Sequence, residues 1–194
     1  LRFLRGHSYF TMKRLYKNIP IFDENASDED ILKTSNDLSN DASWDKIAAD
    51  FQYAVDNLPL TQTEIGRANK TSAQAYLAKV KLYQAYTQSA THQVTSINAA
   101  KLQEVVTLLQ AVIASGKYSL APTFPDVWKD GKDGEPGFGK NGPESIWEMQ
   151  AYEGQNAVSN AAVDQWSYWA ECQNIRQGGA GPEWNLGWGW NTPT

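Results

Sequence analysis

Nearly all of the punctuation in this 194-residue chain lies in its last third. Eleven of fourteen glycines follow residue 130, and seven of eight tryptophans lie from Trp128 onward. The preceding 129 residues contain only Gly6, Gly66 and Gly116 and carry apolar residues at spacings of three and four. A stretch with that period and so few flexible points satisfies its backbone most readily as helices. A glycine-dense stretch reads instead as loops and short strands. The expected fold is therefore mainly α, with helical hairpins over residues 1–129 and a loop-rich, Trp/Gly-rich face with short strands over residues 130–194.

Charge follows the same division. Residues 1–129 hold 14 Lys/Arg against 13 Asp/Glu, and residues 130–194 hold 3 against 9, so +1 and −6 make the net −5. A net charge of −5 argues against a nucleic-acid binder, since that needs a basic surface. The longest nearly apolar run, Val105 to Ala114, is too short to cross a bilayer as a helix. A lone cysteine, Cys172, rules out an internal disulfide and a multi-cysteine metal site. Two histidines, His7 and His92, leave little for a zinc centre or a histidine-dependent triad.

The first helix is expected from Leu1 to Lys17, stopped by Asn18-Ile19-Pro20, because proline disfavours helix in the residue before it. Residues 23–40 are acidic and polar, with at most a short helical turn. A second helix runs from Ser43 to about Asn57, where Trp44, Ile47, Phe51 and Val55 form one apolar stripe. A third starts at Thr71, an N-cap with Gln74 three residues on, and reaches about Thr87. A fourth starts near Ser96 and ends before Gly116, which sits where a left-handed C′ residue belongs. Trp44, Phe51, Leu77, Val80, Leu109 and Ile113 are expected to be buried. Trp44, Ile47, Ala48 and Phe51, followed by Ala78, Leu82 and Ala85, fit a tetratricopeptide pair. The loop from Pro59 to Lys70 is longer than that repeat allows, so the pair reads as degenerate.

Five segments, taken in order, resemble the SusD/RagB-like family of outer-membrane nutrient-binding lipoproteins. The segment LRFLRGHSYFTMKRLYKNIPIF places Arg2, Phe3, Leu4, Arg5, Tyr9, Phe10, Arg14, Leu15, Tyr16 and Pro20 on that family's helix signature. Asp50-Phe51, Leu58-Pro59 and Gly66-Arg67-Ala68 fall on the next. Val112 to Leu120 resembles a characteristic helix exit, and Glu144 to Glu148 a strand that follows it. Gly187 to Thr194 resembles the segment that opens a further lobe. Lys17-Asn18 departs from a usual Gly-Asp pair.

On this resemblance the chain is the central portion of a single SusD-like domain. It implies non-catalytic glycan binding at the cell surface for uptake through a SusC-like, TonB-dependent outer-membrane transporter. It also implies an outer-membrane, surface-exposed location, attached only through a lipid anchor missing from this chain. The alternative reading is a peptide- or protein-binding tetratricopeptide-like adaptor.

The residues add a site argument of their own. A sugar offers C–H faces to aromatic rings and hydroxyls to planar amides and carboxylates. Residues 150–194 carry five Trp, two Tyr and ten Asn/Gln. The densest cluster supplies Trp166, Tyr168 and Trp169, followed by Asn174, Arg176 and Trp184, and these six are the expected glycan-binding residues. Trp128 and Trp147 read as core. Arg176 suits either a sugar carboxylate or a pairing with Glu171 or Glu183.

No cofactor, metal or catalytic residue is expected. Asp126, Asp130, Asp133 and Glu135 cluster among glycines, but the calcium-loop pattern fails at Trp128 or Lys132. Glu144 and Glu148, if extended, lie about 13 Å apart, too far for either glycosidase geometry.

Overall fold

In a computed structural model the chain divides into two compact units, Leu1–Glu148 and Met149–Thr194. The structure describes residues 1–37, 40–64, 66–89, 91, 93–127 and 141–148, all within the first unit.

In chain order these residues form α1 (Arg2–Leu15), α2 (Asp28–Lys33), α3 (Asn40–Asn57), α4 (Lys70–Ala85), β1 (Tyr86–Gln88), β2 (Val94–Ile97) and α5 (Ala99–Ala114). A short 3-10 turn follows at Phe124–Val127. The long helices stack in one direction, with α3 between α1 and α4, and α4 between α3 and α5. The mainly α, tetratricopeptide-like expectation is borne out.

The helix α1 buries Phe3, Gly6, Phe10 and Lys13, one residue per turn on a single face. Gly6 marks the crossing with α3, because a Cβ there would meet the Phe51 ring at 3.2 Å. Across the crossing, α3 contributes Trp44, Ile47, Ala48, Phe51, Ala54 and Val55 to the core. A helix covered on two sides needs apolar or small residues on both, and α4 accordingly buries Ala73, Leu77, Ala78, Val80 and Ala85. Trp44, Phe51, Leu77 and Val80 are buried as the periodicity predicts.

Leu109 and Ile113 are not buried: they are 41% and 76% exposed. The apolar stripe of α5 is wider than its contact. Only Val105 and Val112 are buried along that helix, and α4 is its one substantial helical neighbour among the described residues.

Helix limits also shift for local reasons. The start of α4 is capped by Asn69 rather than Thr71. The Asn69 Oδ1 accepts from Ser72 N at 2.9 Å, and Asn69 N donates to Ser72 Oγ at 2.8 Å. That reciprocal pair satisfies two donors that a helix start otherwise leaves open. The helix stops at Ala85 because Tyr86–Gln88 pairs antiparallel with Val94–Ile97. Asn98 then caps α5, its Oδ1 accepting from Lys101 N at 3.1 Å. At the far end Gly116 has φ +64°, the expected left-handed exit.

Candidate ligand-binding site

Trp166, Tyr168, Trp169, Asn174, Arg176 and Trp184 lie outside the described residues, as do Trp128, Cys172 and His92. The residues described here form the scaffold, and the resemblance motifs converge in it at two places.

At the first, α1 is tied to α3 by charge. Arg5 grips Asp50 with two hydrogen bonds, Nε to Oδ2 at 2.7 Å and Nη2 to Oδ1 at 2.6 Å. The Asp50 side chain is 7% exposed. Two parallel N–H···O bonds to one carboxylate fix orientation as well as charge. Arg5 and Arg2 both reach Glu24, whose carboxyl is pulled down to about 2, first by its own backbone N–H and then by Arg5 and Arg2. Arg5 is held above its already high ordinary value, chiefly by its hydrogen bond to Asp50. Tyr9 ties down the chain after α1, its hydroxyl accepting from Phe22 N at 2.9 Å.

At the second, three separated segments meet at the start of α4. Thr71 Oγ1 lies 2.7 Å from the Tyr118 hydroxyl. Lys117 Nζ donates to Thr61 Oγ1 at 2.6 Å. Trp147 Nε1 donates to the Gly66 carbonyl at 2.9 Å. Trp147 packs edge-on against Phe3 at 5.1 Å, His7 at 5.0 Å and Tyr76 at 5.9 Å, so it belongs to the core as expected. Its segment runs as turns and bends with no strand, a correction to the extended reading of 144–148. Both glutamates are engaged with backbone: Glu144 accepts from Ala121 N at 2.7 Å and Glu148 from Asn141 N at 3.0 Å.

Between α4 and this segment lies a cavity of about 350 Å³, lined by Ala75, Tyr76 and Lys79 on α4, by Ala121 and Val127, and by residues 142–148. That size is at the lower end of the roughly 300–1,000 Å³ of small-molecule sites. Tyr76 and Trp147 form a corner of two rings inclined at 78°. Lys79 holds its ammonium 5.1 Å from the centre of the Tyr76 ring. Sequence reasoning passed over this cavity, because its walls come from segments about 70 residues apart.

His7 stands beside the same corner. Its Nδ1 is buried without a partner, and its pKa is lowered from the ordinary 6.5 by burial, then by Lys79 and Arg14. A base with a lowered folded pKa contributes fully above its unfolded value, and that contribution falls as pH drops below it. Urea midpoints are therefore expected to fall between pH 7 and pH 5 more steeply for the wild type than for His7→Gln. Parallel slopes would show that His7 is not the group responsible.

Among the described residues no group of three or more metal-ligating side chains exists. Asp126 is occupied in its own turn, where Oδ2 accepts from Thr123 N at 3.1 Å and from Thr123 Oγ1 at 2.7 Å. Asp130, Asp133 and Glu135 lie outside the described residues. No described helix is long and apolar enough to cross a membrane.

No family model matches the chain. SusD-like protein P2 of Formosa agariphila is 35% identical over 80 residues, covering 41% of this chain and 16% of that protein. A solved SusD-like protein from Bacteroides fragilis NCTC 9343 matches with a TM-score of 0.63 at 21% identity, over 90% of this chain and 29% of that one. A SusD superfamily protein from the same strain covers 78% of this chain and 29% of its own length, at 16% identity and a TM-score of 0.46. The resemblance to SusD-like proteins read from the motifs is thus borne out, in sequence over that stretch and in fold over most of the chain. The match spans 16% of the length of the first of these proteins and 29% of each of the other two.

Proposed function

We propose that the chain is part of a non-catalytic, glycan-binding protein of the SusD kind, working at the surface of the outer membrane. The observation that carries this reading is the 35% identity to a SusD-like protein over 80 residues, joined to the shared helical scaffold. In this reading the protein is held to the membrane by a lipid anchor. It passes oligosaccharide to a SusC-like, TonB-dependent transporter and needs no cofactor. A peptide-binding adaptor draws less support, since the aromatic and amide density of residues 150–194 suits sugar rings and hydroxyls.

In this reading Trp166 and Trp169 supply the stacking rings, and Tyr168, Asn174, Arg176 and Trp184 the further contacts to the glycan. A solvated, flexible glycan loses freedom on binding, so affinity is expected in the millimolar to micromolar range, about −4 to −8 kcal/mol. Calorimetry of the full-length protein with its glycan tests the platform. Trp166→Ala and Trp169→Ala are each expected to weaken binding about tenfold or more, the cost of losing a ring face of ~1.5 kcal/mol. If both variants fold and bind unchanged, the platform lies elsewhere.

A further inference from the structure

We propose that the cavity at the Tyr76–Trp147 corner is a second sugar subsite, sized for one neutral monosaccharide unit, walled by α4 and residues 142–148 and formed without the Trp166 and Trp169 cluster. This inference rests on the reading that the protein binds glycan.

Its chemistry is mixed in the way a neutral sugar needs. Two rings meet at 78°; one face of Tyr76 is taken by Phe51, which leaves its remaining surface and Trp147 to meet ring C–H groups. Around them stand a cation (Lys79), two carboxylates (Glu144 and Glu148), and a serine, Ser145. A hydroxyl both donates and accepts, so it can use an ammonium and a carboxylate together. A purely cationic or purely anionic ligand would meet a like charge on one wall.

Two charged groups at the wall have hydrogen-bonding capacity left over. Lys79 holds its ammonium near the Tyr76 ring and makes no ion pair with a carboxylate among the described residues. Glu144 Oε1 is held by the Ala121 amide, which fixes that carboxylate at the rim. The apolar walls, Ala75 and Ala121, are small side chains that leave the space open.

The test is NMR of the full-length protein with the methyl glycosides of glucose, galactose, mannose and xylose, each raised to about 100 mM, a range that detects very weak binding. At least one glycoside is expected to shift the Tyr76 and Lys79 resonances saturably. Ala75→Phe, which fills the cavity, should weaken that response at least tenfold. The exposed Lys79→Met should weaken it without touching the fold, and so serves if Ala75→Phe does not fold. Shifts that persist in a Trp166→Ala/Trp169→Ala protein would support a separate subsite. Shifts that vanish there would mean the response came from the loop face, overturning this inference while leaving the glycan reading intact. No shift at Tyr76 or Lys79 with any glycoside also overturns it, and calorimetry with the polysaccharide then decides the glycan reading independently.

Discussion

Arg5→Ala is expected to destabilise the scaffold by about 3 kcal/mol, among the largest effects of any single polar substitution here. The change leaves the Asp50 carboxylate, 7% exposed, without the guanidinium that holds both its oxygens. Removing one member of a buried ion pair typically costs about 3–5 kcal/mol, because the remaining charge stays desolvated. The lower end applies, since Arg5 itself is 25% exposed and water reaches part of the pair. Replacing both partners with apolar residues, Arg5→Met with Asp50→Leu, should recover much of the loss, as the penalty comes from the orphaned charge and not from a missing contact. Urea denaturation of the two single variants and the double variant measures this. A loss below 1 kcal/mol for Arg5→Ala would mean that water already screens Asp50.

Phe51→Ala should cost about 3–5 kcal/mol, the usual range for emptying a buried aromatic site. Phe51 is fully buried. It stacks on Tyr76 at 5.2 Å and meets Phe3 edge-on at 5.5 Å. Gly6 lies against its ring, and a Cβ there would come within 3.2 Å. The rings bridge α1, α3 and α4, so the cavity left behind cannot collapse without moving a helix. Ile113→Ala is the control: at 76% exposure it should cost under about 0.5 kcal/mol, like other surface changes. Equal losses for the two would refute the packing order of the helices.

The helices were legible because burial leaves a period. Trp44, Ile47, Phe51 and Val55 recur once per turn, and the structure buries all four. The same logic misplaced Leu109 and Ile113, since a period shows which face is apolar and not whether a neighbour covers it. The hairpin escaped notice because its strands are only three and four residues long, and in Val94-Thr95-Ser96-Ile97 the apolar residues stand three apart, a helical spacing rather than an alternation. Residues 82–100 carry no Asp, Glu, Lys or Arg, so charge gave no boundary either. The cap at Asn69 was missed because Thr71 and Gln74 make an equally good local pattern. Tyr118, 47 residues on, settles the competition by meeting the Thr71 hydroxyl. The Arg5–Asp50 pair, 45 residues apart, and the cavity at Tyr76 and Trp147 depend on the fold itself. Sequence could point to aromatic and amide density in residues 150–194 but not to the geometry of a site.

The position of Trp147 bears on the order in which the protein folds. Every fully buried member of the aromatic and aliphatic cluster, from Phe3 to Val80, lies in the first eighty positions, and Trp147 joins it from 67 residues further along. A contact that closes a longer stretch of chain costs more entropy before it is rewarded. Trp147 is therefore expected to close over Phe3, His7 and Tyr76 after α1, α3 and α4 have met, and a chain cut before residue 141 leaves the edges of those three rings bare.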